Sequence, residues 1–396
     1  MIISDRIKNL APSATLLMSQ KSAELKAAGV DVINMSVGEP DFDTPDFIKK
    51  AAEKAIEDNF SRYSPVPGYL PLRQAICKKL HRDNKLKFTP EQIVVGNGAK
   101  QELTNTILCL VNPGDEVIIP TPAWVSYVEM VKLAEGKAVL VPATLENDFK
   151  ITAQQLEKAI TPKSRLLILN SPCNPTGSVY SEAELKAFAE LLAKHPQITV
   201  LSDEIYEHIN FVGGVTSIAI HGEMQQRTVI INGVSKAYAM TGWRLGFMAA
   251  PLEVAKASSK LQGQYTSGPS SIAQKAAEAA YDGPQTCVEE MRKAFERRRD
   301  LIVSLAKEIP GWKVNVPQGA FYLFPDVTSL IGKACGDKVI NSSSDYVLYL
   351  LEKAHVACVD GGAFCAPGYI RLSYATSDDN IREAMKRIRE ATEALT

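Results

Sequence analysis

Short runs of β-forming residues, separated by longer amphipathic stretches, constrain this chain more than any other feature. The runs are Gln92 to Val95, Glu116 to Ile119, Arg165 to Leu169, Ile198 to Leu201 and Thr228 to Ile231. Between them lie segments such as Glu182 to Lys194, where Leu185, Phe188, Leu191 and Leu192 recur at helical spacing. This alternation predicts an α/β fold with a mostly parallel, mixed sheet flanked by helices. From about Asp282 the pattern changes to a charged helix (Glu289 to Lys307), strand-like Phe321 to Phe324 and Ile370 to Tyr374, and a terminal helix from Asp378. A smaller α+β domain is expected there, and 396 residues are enough to fill two cores. The expected division is a large domain over 43–285 and a small one built from 1–42 and 286–396.

In an open parallel sheet, ligands bind beyond the carboxyl ends of the strands, so the residues after each run are the candidates. After Val95 comes Gly96-Asn97-Gly98-Ala99-Lys100, then a helix-like stretch from Gln101, which suits an anion held by backbone donors. The spacing is neither GxGxxG nor GxxxxGK[ST], which lowers the dinucleotide and nucleoside-triphosphate readings. After Leu169, Ser171-Pro172-Cys173-Asn174-Pro175-Thr176-Gly177 holds Asn174 between two prolines, although an Asn-Pro turn needs no ligand to explain it. After Leu201, Asp203 stands at a strand tip with Tyr206 three residues on; a helix cap is the plain alternative for Asp203. After Ile231, Ser235-Lys236 lies among small and apolar residues, where lost hydration favours a free amine, with Arg244 eight residues later.

Composition removes several other classes. Lys plus Arg number 44 against 45 Asp plus Glu, leaving no global field to gather nucleic acid or an anionic membrane. Seven cysteines with no CxxC pair argue against a disulfide framework and for reduced, mostly buried thiols; no metal site is expected. Charges near the start, where a secretory signal needs an apolar core, and the lack of a long apolar run fit a cytoplasmic protein.

An amine, a carboxylate, a phenol, a guanidinium and a helix-start cradle together meet the demands of pyridoxal 5'-phosphate. Its aldehyde takes a lysine, its ring nitrogen an acid partner, and its phosphate a cationic fork with backbone donors. Here the chain resembles the class I aminotransferases of pyridoxal-phosphate fold type I, in the bacterial branch of aspartate and prephenate aminotransferases. The likeness spans nearly the whole chain. It is carried by Gly38-Glu39-Pro40-Asp41-Phe42, Tyr63-Ser64-Pro65 with Gly68, the Ser171 to Gly177 motif, Ser202-Asp203-Glu204-Ile205-Tyr206, Ser235-Lys236 with Arg244, and Ile370-Arg371-Leu372-Ser373-Tyr374.

The resemblance implies that Lys236 holds the cofactor as a covalent aldimine and moves the substrate proton. It implies that Asp203 keeps the ring nitrogen protonated, that Asn174 and Tyr206 hydrogen-bond the phenolic oxygen, and that Trp124 stacks on the ring. The phosphate would lie on the Ala99 and Lys100 backbone, Ser235 and Arg244. Tyr63 would reach the partner subunit's phosphate, making a homodimer with shared active sites. Arg371 would clamp the substrate α-carboxylate, with Gly38, Trp124 and Asn174 beside it, and the two domains would close on the substrate. In this branch Lys100, Ser13 and Thr15 serve the distal carboxylate, which points to aspartate with 2-oxoglutarate and leaves prephenate as a further substrate. A basic residue that the family often carries just before this segment is replaced here by Leu10-Ala11. The alternatives are a carbon-sulfur β-lyase, an aminotransferase of aromatic or other amino acids and, more remotely, a regulator with an aminotransferase-like domain. No basic helix-turn-helix segment is found to support the last.

Overall fold

The computed structural model describes residues 1–214 and 217–396. Its centre is a seven-stranded sheet. In chain order the strands are β1 (Ile93–Gly96), β2 (Glu116–Thr121), β3 (Lys137–Pro142), β4 (Ser164–Asn170), β5 (Thr199–Asp203), β6 (Thr228–Gly233) and β7 (Gly246–Ala249). Across the sheet the order is β1-β7-β6-β5-β4-β2-β3, and only β7 runs antiparallel to its neighbours. The mixed, mostly parallel sheet expected from the sequence is therefore present.

Its central strands are apolar on both faces, Val117, Ile118, Ile119, Leu166, Leu167, Val200, Leu201, Val229, Ile230 and Ile231 all being buried, because helices cover both sides. One of these is Glu182–Leu192, which starts where Ser181 accepts from the Glu184 amide and Glu184 accepts from the Ser181 amide in return, satisfying donors that a helix start leaves open. Two strands have no expected counterpart. β3 is a half-exposed edge, and β7 (Gly246-Phe247-Met248-Ala249) lacks β-branched residues, so neither carries the usual signal.

Toward the C-terminus, β8 (Tyr322–Leu323), β9 (Val359–Asp360) and β10 (Ile370–Ser373) form an antiparallel sheet in the order β9-β10-β8. The helices Thr286–Ala306 and Asp378–Glu393 pack beside it around a core that includes Phe295, Phe321, Leu372 and Ile388. An N-terminal strand, Ile33–Asn34, pairs in parallel with Val356–Ala357. Beyond it, Asp41 meets buried Arg298 through two hydrogen bonds of 2.7 and 2.9 Å, and Phe42 packs edge-on against Phe295. The N-terminal segment is thus stitched to the C-terminal part and delivers Gly38 to its edge.

All seven cysteines are free. Against expectation only Cys358 is fully buried, the other six being partly accessible, because most lie on helices or in turns at the margin of a core. Among the described residues no helix is long and apolar enough to cross a membrane, and no group of side chains is arranged to hold a metal ion.

Candidate active site

The tips of β1, β4, β5 and β6 open into one cavity of about 330 Å³ that also touches the C-terminal part. It is lined by Lys236, Ser235, Asp203, Tyr206, Asn174 and Arg371, and on its other walls by Ala99, Lys100, Trp124, Arg244, Gly38, Ser13 and Thr15. Every residue singled out from the sequence except Tyr63 is therefore brought together. Tyr63 is 97% exposed and does not line this cavity.

Lys236 follows β6 in a short turn, and its Nζ donates to the Gly38 carbonyl at 2.7 Å. The ring of Tyr206 lies 5.8 Å from Nζ and that of Phe321 5.9 Å. Burial pushes the amine down from 10.5 to about 8; the nearby guanidinium groups of Arg371 and Arg244 act the same way, against Glu39 and Asp203. Stripped of small molecules, the protein should react with an aldehyde reagent at Lys236 about tenfold faster per pH unit up to about pH 8, then level off. A plateau only near the ordinary lysine value, followed by mass spectrometry of the labelled peptide, would contradict this.

Asp203 ends β5, 4% exposed. Its Oδ2 accepts from the Tyr127 hydroxyl at 2.6 Å, and its Oδ1 from the Ile205 amide at 3.2 Å. Burial raises its carboxyl to about 6, although these two donors and the Lys236 charge oppose it. The chain after Asp203 turns rather than entering a helix, so capping does not explain the residue. Because the folded value lies above the unfolded one, ionising Asp203 costs stability that grows as pH rises from 3.8 to about 6. Asp203→Asn should therefore stabilise the stripped protein at pH 7 by up to about 3 kcal/mol and not at pH 4, read from melting temperatures at both values.

Arg371 on β10 is almost wholly enclosed, at 2% exposure. Its Nη1 donates to Asn174 Oδ1 at 3.0 Å and its Nη2 to the Ser36 carbonyl at 2.5 Å. Its guanidinium lies 4.6 Å from the Tyr322 ring and 4.9 Å from that of Phe364, while among the described residues Nε has no partner. No carboxylate neutralises it among the described residues, so a buried cation faces the cavity ready for an anion.

At the opposite wall the helix Ala99–Leu110 begins immediately after Gly98, whose φ is 86°. Its first backbone N–H groups have no partner within the helix. A Cβ on Gly98 would lie 2.5 Å from Arg244 Nη2, and one on Gly246 would lie 2.2 Å from the Ala99 nitrogen. Glycine at both positions lets the helix start, the guanidinium and the sheet meet. Among the described residues Arg244 itself donates only to the Thr241 and Asn97 carbonyls, at 2.9 and 3.4 Å. An amine, an acid, an anion cradle and a buried guanidinium thus share one enclosure.

The pattern described as aminotransferase class I and II matches residues 30–388. This chain belongs to that family. As an aminotransferase it is 48% identical over 389 residues to the aspartate/prephenate aminotransferase of Cereibacter sphaeroides, covering 98% of this chain and 97% of that one. It is 47% identical over 396 residues to the aspartate aminotransferase of Geobacillus stearothermophilus, covering 100% of both. The crystal structure of the aspartate aminotransferase from Rhizobium meliloti superposes with a TM-score of 0.96 at 43% identity over 100% of both chains. That of the Thermus thermophilus aspartate aminotransferase with maleate gives 0.93 at 40% identity over 99% and 100%.

Among the cavity residues not singled out from the sequence, three hydrogen-bond the groups that were. Tyr127 holds Asp203, and its place three residues after Trp124 at a helix start is the one signal for it. Asn170 binds both turns, donating to the Asp203 carbonyl at 3.0 Å and accepting from the Asn174 amide at 2.8 Å. Tyr322 pairs its hydroxyl with that of Tyr206 at 2.6 Å. A Cβ at Gly38 would lie 2.0 Å from that Tyr322 oxygen, which is why position 38 is glycine. Lys100 Nζ stands 4.9 Å from the Trp124 ring, and Ser13 caps the helix Ala14–Ala27 without committing its hydroxyl to the cap.

Proposed function

We propose that this aminotransferase transfers the amino group between L-aspartate and 2-oxoglutarate, using pyridoxal 5'-phosphate carried on Lys236. The convergence of the Lys236 amine, the Asp203 carboxylate and the Arg371 guanidinium, which no carboxylate among the described residues neutralises, on one cavity supports it most strongly. The donor set fits the cofactor. Arg244, Ser235 and the backbone of Ala99 and Lys100 would hold its phosphate, Asp203 its ring nitrogen, Asn174 and Tyr206 its phenolic oxygen, and Trp124 one ring face. When bound, pyridoxal phosphate supplies the electron sink that makes the α-hydrogen of an amino acid acidic.

The chain's own residues do the rest. Arg371 takes the α-carboxylate as a bidentate partner, with Gly38 and Asn174 beside it, and thereby points the α-hydrogen toward Lys236. Lys236 Nζ, its pKa lowered toward neutrality, takes that proton and gives it back at the carbon that needs it. Asp203 would face the cofactor's ring nitrogen and favour its protonated form, whose charge would in turn keep the carboxyl ionised. Lys100, Ser13 and Thr15 receive the distal carboxylate, a reading supported by the relative solved with maleate, a short dicarboxylate. Relatives named aspartate/prephenate aminotransferase make prephenate the second substrate to test.

In this reading residues 43–285, which contain the whole seven-stranded sheet, are the cofactor-binding domain. Residues 1–42 and 286–396 form the smaller domain, joined by the pairing of Ile33–Asn34 with Val356–Ala357. Lys236 and Arg371 then lie on opposite domains, which close on the substrate and exclude water. The exposure of Tyr63 fits a contact with a second subunit, making a homodimer with shared active sites that works in the cytoplasm. The test is spectroscopic. The purified protein should show a visible cofactor band that aspartate removes and 2-oxoglutarate restores. An unchanged band with both reagents, or release of pyruvate and ammonia from cystathionine without a keto acid, would defeat the assignment.

A further inference from the structure

Behind the cavity, among the turns that bear its chemistry, lies a buried charged cluster to which no role above is given. Glu207, adjacent to Tyr206, is 3% exposed and does not line the cavity. Its Oε1 accepts from Lys79 Nζ and, at 2.7 Å, from Asn232 Nδ2; its Oε2 accepts from Asn84 Nδ2 at 2.7 Å. Lys79, itself 1% exposed, also donates to Asn84 Oδ1 at 2.7 Å. His208 Nε2 lies 3.4 Å from the same Glu207 oxygen, and Asp83 Oδ2 is 3.7 Å from that nitrogen. Burial works to raise the Glu207 carboxyl, but Lys79, His208 and the Asn84 amide overcome it and hold it down to about 2, so the group is a fixed anion.

The placement of the partners gives the cluster meaning. Lys79 and Asn84 come from one helix, Leu70–Asn84, which thus supplies both the ammonium that pairs with Glu207 and one amide donor. Asn232 comes from the end of β6, three residues before Ser235 and four before Lys236. Its own Oδ1 accepts from the Gly233 amide at 2.7 Å, so the side chain is held at both ends. One backbone bond, from the Glu204 amide to the Ile231 carbonyl at 2.9 Å, ties the same two turns together. We propose that Glu207, acting through Asn232, is a positioning residue that fixes the Ser235–Lys236 turn relative to the Asp203–Tyr206 turn. The inference rests on the roles proposed above for Lys236 and Asp203.

Lys236 must both attach at one atom and move a proton at another, so a small displacement of its turn is costly; misplacement of about 1 Å is worth roughly a hundredfold in rate. Asn232→Ala cuts the link and leaves the Glu207–Lys79 ion pair whole. Asn84→Ala removes an equivalent bond to the same carboxylate on the side away from Lys236, and is the control. Both variants are compared with the parent holoenzyme for melting temperature, for the pH midpoint of the visible cofactor band, and for kcat and KM with aspartate. Asn232→Ala is expected to move the band midpoint by about half a pH unit or more and to lower kcat about tenfold with KM within about twofold. Asn84→Ala should lower the melting temperature while leaving midpoint and kcat in place. Equal losses of melting temperature in both, with the midpoint and kcat unmoved in Asn232→Ala, overturn the proposal. Should Asn232→Ala not accumulate, Asn232→Ser is read against the same outcomes. A parent protein without any visible band overturns the cofactor reading and this inference together.

Discussion

Alanine in place of Lys236 is expected to lower aspartate turnover by about four orders of magnitude or more while the protein stays folded. Burial brings this amine down to about 8, and no histidine stands among the residues lining the cavity to take over the proton. Its removal also leaves Lys100, at the opposite wall, as the one lysine amine among the described residues lining the cavity. Borohydride treatment followed by peptide mass analysis separates the two losses. The parent should carry the cofactor mass on the peptide containing Lys236, and the variant should carry none there. The fold should survive, because Nζ makes one hydrogen bond, to the Gly38 carbonyl, and that carbonyl can turn to water in the cavity. Turnover within about a hundredfold of the parent would refute the assigned role.

Arg371→Leu should reduce kcat/KM for aspartate by roughly thirtyfold to several-thousandfold, the range expected when one partner of a buried charge pair is removed, about 2–5 kcal/mol. The loss should fall on amino acid and keto acid alike, since both present the same α-carboxylate. Arg371→Lys restores the charge without the planar fork, so it should recover only part of the activity. Stability should move little. Among the described residues the guanidinium is enclosed with no anion beside it and its Nε unpartnered, so its removal relieves an unpaired charge even as Asn174 Oδ1 and the Ser36 carbonyl lose a donor. Melting temperature and the KM of both substrates check this. An unchanged KM with lowered melting temperature would make Arg371 a structural cation instead.

The sheet was legible where its strands are buried on both faces, because Glu116 to Ile119, Arg165 to Leu169 and Thr228 to Ile231 are runs of β-branched and leucine residues ended by polar ones. The edge strand Lys137–Pro142 and the antiparallel strand Gly246–Ala249 were not, one being half solvated and the other chosen for close packing against Gly98 and Ala99. In the site, Asp203 and Lys236 stood out because each follows a strand end, where a polar side chain has nowhere to go but the ligand crevice. Tyr322 did not, since nothing in Phe321 to Phe324 tells which aromatic turns to the Tyr206 hydroxyl and which to the core. The Glu207 cluster was equally hidden. Lys79, Asn84, Glu207 and Asn232 lie on three separate segments, and each alone reads as a surface residue.

What the amino-acid order determined by itself was the alternation of strands and helices, and with it the place where polar residues must collect. Period and patterning are local properties, so they survive without knowledge of neighbours. What tertiary structure alone decided was which of those polar groups face one another. Arg371 lies in the described fold 3.0 Å from Asn174, across 197 residues of chain, and Asp203 finds its donor in Tyr127, 76 residues away. Such distances follow from how two packed layers meet, and the energy of a buried charge depends on that meeting rather than on its flanking residues.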